Sequence, residues 1–187
     1  MRVAVPLEQA YKLLNHGPVT LVSAAHGGQA NVMAASWVMP LDFAPPRVAL
    51  VVDKSAYTRE LLLAAGGFVL GIPGRKLAQA VVQVGSCCGR EVDKFAAFGL
   101  EWQPGSQVAA PLVQGCAAWL ECRLMPEPAN QENYDLFLGE VLAAWADDQA
   151  WRDGRWVFAD PELRTLHYVA GGQFFLTGES LVVDAAH

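Results

Sequence analysis

Strand-like runs recur along this chain without helices set regularly between them, and no other feature narrows its folding options so far. Residues 19–25 and 31–39 flank a His26-Gly27-Gly28-Gln29 turn and read as a β-hairpin. Residues 47–52 and 68–72 are short apolar runs suited to buried strands. Leu120, Cys122 and Leu124 alternate with Glu121 and Arg123, the period of a half-buried strand. Residues 134–145 are apolar on both faces apart from Glu140, as in a strand deep in a barrel or at a subunit contact. Residues 156–158 and 173–176 complete the set, the latter following a Gly171-Gly172 turn. The helical signals are short. Leu7, Ala10, Tyr11 and Leu14 follow Pro6 and end at Gly17, residues 58–65 precede Gly66-Gly67, and residues 76–84 form a third segment. A doubly wound parallel sheet needs strand and helix to alternate throughout. The predicted class is therefore mainly β with short helices, a closed antiparallel barrel.

The chain has 187 residues, enough for a single domain over 1–187, and its loop signals at 42–46 and 126–133 are too short to separate two. Apolar residues make up 53% and charged residues 17%, against a usual charged share of about 25%. That balance excludes intrinsic disorder and predicts apolar surface hidden between subunits. The net charge of −6, with no basic cluster, argues against nucleic acid and anionic membranes as partners. An anionic ligand must then be held by local groups. The longest mostly apolar stretch, residues 61–72, is 12 residues long, well short of the ~20 that span a bilayer. The start lacks a signal-peptide core, so a cytoplasmic location is expected. Cys87 and Cys88 are adjacent, while Cys116 and Cys122 make no metal-ligand spacing, so all four read as thiols and the latter two as core.

Several chemistries find no support. No G-x-G-x-x-G, G-x-x-x-x-G-K-[ST] or H-E-x-x-H is present. Ser86 follows Gly85, but Cys88 stands where a nucleophile elbow needs glycine. His16, His26, His167 and His187 offer little for a catalytic triad, and no metal site is signalled. Covalent hydrolysis is not expected, and no side chain is assigned a nucleophilic role.

The informative region is residues 31–58. It opens with Asn31-Val32-Met33-Ala34-Ala35-Ser36-Trp37, whose small residues let a flat group approach the strand backbone. After Pro45-Pro46 and a short strand comes Asp53-Lys54-Ser55-Ala56-Tyr57-Thr58-Arg59. Here Ser55 can cap the following helix and Thr58 falls in its first turn. Free amides, two hydroxyls and the nearby Lys54 and Arg59 compose a phosphate cradle. Each signal has a plainer reading: Ser55 and Thr58 as simple caps, and Ala34-Ala35-Ser36 as close strand packing. Joined by one strand, the two describe a site for a planar ring and a phosphate, a mononucleotide cofactor.

The ordered set Asn31-x-x-x-Ala35-Ser36-Trp37, Pro45-Pro46, Asp53-Lys54-Ser55-x-Tyr57-Thr58 and Phe68-Val69-Leu70-Gly71-Ile72-Pro73 resembles the flavin reductase-like proteins, among them the flavoredoxins. Asp93-Lys94-Phe95, Pro111-Leu112-Val113, Leu120-Glu121-Cys122, Leu138-Gly139-Glu140-Val141 and His167-Tyr168 extend the resemblance from about Gly17 to Phe175. The resemblance implies an FMN-binding split barrel and a homodimer with FMN in two interfacial clefts. It implies that Met33, Ala34, Ala35, Ser36 and Trp37 line the isoalloxazine ring, with Asn31 also among the cofactor-binding residues. It implies that Asp53, Lys54, Ser55 and Thr58 hold the ribityl chain and phosphate, that Arg90 and Lys94 close over the phosphate, and that Phe95 packs beside the cofactor. Many relatives carry Gly-Asp-His near the strand beginning at Leu136, whereas this chain reads Asn133-Tyr134-Asp135.

The resemblance further implies hydride transfer from NAD(P)H to flavin N5 and on to a small-molecule or protein acceptor, with the protein supplying orientation and electrostatics. The alternatives are a flavoredoxin-like electron carrier without its own substrate and a non-enzymatic split-barrel module. Among other candidates, Glu140 reads as a hydrogen-bonded interface carboxylate and His167 as either a cleft or a structural histidine. Cys87-Cys88 reads as two thiols more than as a redox pair. Trp119, Trp145, Trp151 and Trp156 read as core or interface residues.

Overall fold

The structure is a computed structural model and describes residues 1–183, so His187 lies outside the described residues. The chain opens with β1 (Arg2–Val5) and a 3₁₀ segment (Leu7–Leu13). Two hairpins follow, β2 (Thr20–His26) with β3 (Gln29–Ala35), and β4 (Val38–Phe43) with β5 (Pro46–Val51). Then come α1 (Tyr57–Ala65), β6 (Gly67–Pro73), α2 (Ala78–Gly85), α3 (Lys94–Ala97), and the short pair β7 (Trp102–Pro104) and β8 (Pro111–Val113). The rest comprises β9 (Cys116–Met125), α4 (Pro128–Tyr134), β10 (Leu136–Asp147), β11 (Trp151–Arg152), β12 (Arg155–Trp156), β13 (Leu166–Ala170) and β14 (Gln173–Leu176). Among the described residues, no helix is long and apolar enough to cross a membrane.

Eight strands form one antiparallel sheet in the order β3-β2-β6-β9-β10-β5-β4, with β1 also pairing to β10. The end strands β3 and β4 are separated in sequence by only Ser36 and Trp37. A sheet whose two ends are joined by so short a link must curl round on itself. No ladder joins β3 to β4, so the curl stays open along that seam.

The period of two gives each strand an inner and an outer face. Val22, Leu70, Leu120 and Ala144 lie opposite one another across four strands and are all buried inside the curl. Phe68, Cys122, Phe137 and Val141 join them, with Leu61 and Leu62 of α1, Leu13 of the 3₁₀ segment and Leu14 just after it. Burying a Leu or Phe side chain of this kind contributes about 1.5–3 kcal/mol. The outer face is apolar too over β2, β6 and β9. Leu21, Val69 and Trp119 form a second core there with Val81 and Val84 of α2 and Phe95 of α3.

Three expectations need correction. The first seven residues of β9 are buried on both faces, so Glu121 is not on a solvent side. Residues 105–110 fold over it instead. Its Oε1 accepts from Ser106 Oγ and Trp145 Nε1, both at 2.8 Å, and its Oε2 from the Gln107 amide at 2.6 Å. Tyr134 belongs to α4, which forms where the sequence reads as loop. Residues 31–39 are not one strand arm, because the strand breaks at Ser36-Trp37 and leaves the β2 ladder. The hairpin turn itself is as expected, with Gly27 at φ +58° and Gly28 at φ +81°, a left-handed pair that glycine adopts without strain.

Candidate functional site

Because β3 ends the sheet, one edge of its backbone lacks a strand partner among the described residues. Two adjoining clefts follow that edge and share Ala34, Gly85 and Ser86. The first, about 490 Å³, is lined mainly by small and apolar residues. It is bounded by Ala34, Ala35 and Ser36, by Val81 and Val82 of α2, and by the β13–β14 hairpin with Tyr168, Gly171-Gly172 and Phe174. The second, about 350 Å³, is bounded by Asn31 and Met33, by residues 55–58 at the head of α1, by residues 84–89, and by Lys94.

The second cleft gathers positive charge and free donors at the head of α1. The residue before the first turn of α1 is Ala56, and no side chain caps the helix. Ser55 therefore does not act as the cap that its position suggests. Its amide and hydroxyl both donate to Asp53 Oδ1, at 2.8 and 2.6 Å, and these bonds hold the Asp53 carboxyl below the usual aspartate range. An uncapped helix start presents free amides and partial positive charge. Thr58, fully buried, accepts a hydrogen bond on Oγ1 from Asn31 Nδ2 at 2.9 Å, which ties the β3 edge to this turn. Gly89 presses on the same amide, since a Cβ there would stand 2.2 Å from Asn31 Oδ1. Lys94 is 4% exposed and donates to the Val84 carbonyl at 2.6 Å. Burial lowers its pKa from the ordinary lysine value, partly offset by Cys87 and Cys88.

The structure thus brings together Asn31, Met33, Ala34, Ala35, Ser36, Ser55, Thr58 and Lys94. Arg90 stands at the rim: it pairs with Glu60, donates to the Ser55 carbonyl at 3.4 Å and lies 5.3 Å over the Tyr57 ring. Four other residues do not line either cleft. Asp53 faces solvent with Ser55. Lys54 turns toward Glu132 of α4 at 3.1 Å. Phe95 packs against Trp102 in the outer core, ring centres 6.0 Å apart. Trp37 is 74% exposed beyond the end of β3.

His167 is bonded to the Gly17 carbonyl and Thr177 Oγ1 at 3.2 and 3.4 Å, which makes it structural here. Glu140 pairs with Arg123 at 2.9 Å. Sequence reasoning missed the β13–β14 hairpin as a cleft wall and the turn 86–89. Gly171-Gly172 between aromatic residues signals a hairpin, but nothing local places it over α2. What the two clefts offer together is a slot of small and apolar residues along a strand edge and, beside it, a pocket with free helix-head amides and an ammonium. A planar heterocycle carrying a phosphate fits that arrangement.

The sequence profile of the flavin reductase like domain matches residues 14–171. The uncharacterized protein YddH of Escherichia coli K12 is 44% identical over 180 residues, 95% of each chain. Among solved structures, an FMN-binding domain of a flavin reductases-like enzyme from Shewanella baltica OS155 superposes with a TM-score of 0.95 at 46% identity, over 98% of both chains. Flavoredoxin of Desulfovibrio vulgaris (Miyazaki F) follows with a TM-score of 0.79 at 27% identity, over 89% of both. The split-barrel architecture, the clefts along β3 and these likenesses agree, and the chain belongs to the flavin reductase-like family.

Proposed function

We propose that this protein binds FMN along the β3 edge and works as an NAD(P)H-dependent oxidoreductase. The observation that carries the reading is the continuity of an apolar cleft with a cationic one through Ala34, Gly85 and Ser86. The free amides of α1 and the Lys94 ammonium hold the phosphate, with the Asn31–Thr58 bond fixing the helix head against the strand. Arg90 closes the rim. Ala34, Ala35 and Ser36 keep the strand edge low enough for the ring to reach backbone donors and acceptors. Bound FMN supplies hydride acceptance from the nicotinamide and onward delivery to a small molecule, a free flavin or a protein. Tyr168 and Phe174 wall the first cleft, and the donor docks against the ring itself, since no dinucleotide motif is present. The likeness to a flavoredoxin favours a second reading, an FMN electron carrier without its own substrate.

The functional unit proposed is a homodimer. Strand register sets Met39, Ala49, Leu138 and Met125 in one row on the outer face, with Met39 54% exposed. Trp37, bonded through its carbonyl to the Val51 amide, extends this surface to the mouth of the apolar cleft. Asp42, Arg47, Glu140 and Arg123 edge it with charges of alternating sign. A self-complementary apolar patch with a charged rim suits a second copy of the chain.

The discriminating experiment loads the protein with FMN and adds NADH, then NADPH, without oxygen. Bleaching of the flavin band at a rate well above that of free FMN is expected. A band that persists with both donors but bleaches with a low-potential reductant contradicts the oxidoreductase reading and favours the carrier.

A further inference from the structure

Cys87 and Cys88 line the cationic cleft, where phosphate binding has no use for a thiol. Both are free and partly exposed, whereas Cys116 and Cys122 are buried. Arg90, which pairs with Glu60 through Nη2, lies with Nη1 3.9 Å from Cys88 Sγ, and Lys94 lines the same cleft. Partly exposed thiols among cations are the ones that react with oxidants in proteins. The turn that carries them is also keyed to the binding groups. Gly89 follows Cys88 directly and touches Asn31 so closely that no Cβ fits, and Asn31 in turn holds Thr58 at the head of α1.

We propose that Cys87 and Cys88 form an oxidation site for hydroperoxides inside the phosphate half of the cleft, and that oxidation there and FMN binding exclude one another. The proposal rests on the FMN reading above. In the step, a sulfur attacks the terminal peroxide oxygen, the S–O bond forming as the O–O bond breaks. Sulfur gives up two electrons to the departing oxygen, which takes the thiol proton and leaves as water or an alcohol. The sulfenic acid left behind adds an oxygen to a pocket of about 350 Å³ and displaces the turn that Gly89 wedges against Asn31. FMN already in place covers both sulfurs and slows the reaction.

The test treats apoprotein and FMN-loaded protein with hydrogen peroxide, traps sulfenic acid with dimedone and locates the adduct by peptide mass spectrometry. In parallel, without dimedone, the FMN Kd is measured by fluorescence quenching before oxidation, after it, and after dithiothreitol. Adducts are expected at Cys87 or Cys88 in the apoprotein and suppressed by FMN. The Kd should rise about tenfold or more, equivalent to losing roughly one charge-assisted hydrogen bond, and recover with dithiothreitol. In the Cys87→Ser/Cys88→Ser double variant the Kd before and after peroxide should agree. An unchanged Kd in the fully oxidised wild type, equal adduct formation with FMN bound, or the same peroxide effect in the double variant overturns the proposal and leaves the FMN reading standing. Failure of the untreated, reduced protein to bind FMN overturns both.

Discussion

Thr58 sits under the head of α1 with its hydroxyl accepting from the Asn31 amide, and both side chains are buried. Thr58→Val keeps the shape and removes the acceptor, so the Asn31 amide is left unpaired. The expected cost is about 1–3 kcal/mol, read as a lower denaturant midpoint at unchanged slope. FMN affinity should fall with it, because the strand edge and helix head lose their link. Both residues stand out in the sequence as polar groups near a helix start and a small-residue strand. Their pairing is not legible there, since it depends on β3 lying at the open seam beside α1. Ser55 shows the same limit in reverse. Its type and position mark it as a cap, yet Asp53 two residues earlier captures its hydroxyl, and no side chain caps the first amides of α1.

At the scale of elements, period-two alternation located the strands but misplaced Glu121. Alternation sees one strand at a time and is blind to the loop 105–110 that returns to cover it. Burial alone would raise the Glu121 pKa, but the bonds from Gln107, Trp145 and Ser106 outweigh it and hold it below the ordinary glutamate value of 4.5. The unfolded chain therefore takes up this proton at a higher pH than the native one does. The stability Glu121 contributes is present above about pH 4.5 and is lost as pH falls through its native pKa. Glu121→Gln should lower the melting temperature at neutral pH and shrink its difference from wild type under acid conditions.

The hairpin β13–β14 that walls the apolar cleft is tied down by a second titrating group. His16, whose ring lies 5.4 Å from those of Trp156 and His167, bonds Thr165 Oγ1 at 2.9 Å. Burial, and to a lesser degree the charge of His167, push its pKa from 6.5 down to about 4. Between those values the unfolded chain binds a proton that the native protein does not. Stability is then greatest above pH 6.5 and declines on acidification across that window, by up to about 3 kcal/mol. His16→Phe should flatten the pH dependence of the melting temperature between pH 6.5 and 4. A variant curve parallel to that of wild type would contradict the assignment.

For the molecule as a whole, the low charge content points to hidden apolar surface, and the proposed dimer buries it along the row from Met39 to Met125. Met39→Glu should convert the proposed dimer to monomer in analytical ultracentrifugation while leaving the secondary structure intact. The seam between β3 and β4 was less legible, because only the assembled sheet order reveals that two strands adjacent in sequence are its opposite ends. That seam is what frees the β3 edge, along which FMN is proposed to lie. The most direct measurement titrates the wild-type protein and its Lys94→Met variant with FMN, following fluorescence quenching and then the visible spectrum after desalting. Saturable binding by wild type, weakened about tenfold or more in the variant by loss of one charge-assisted contact, is the predicted result. Equal affinity in the two proteins, or no binding by wild type, would contradict it.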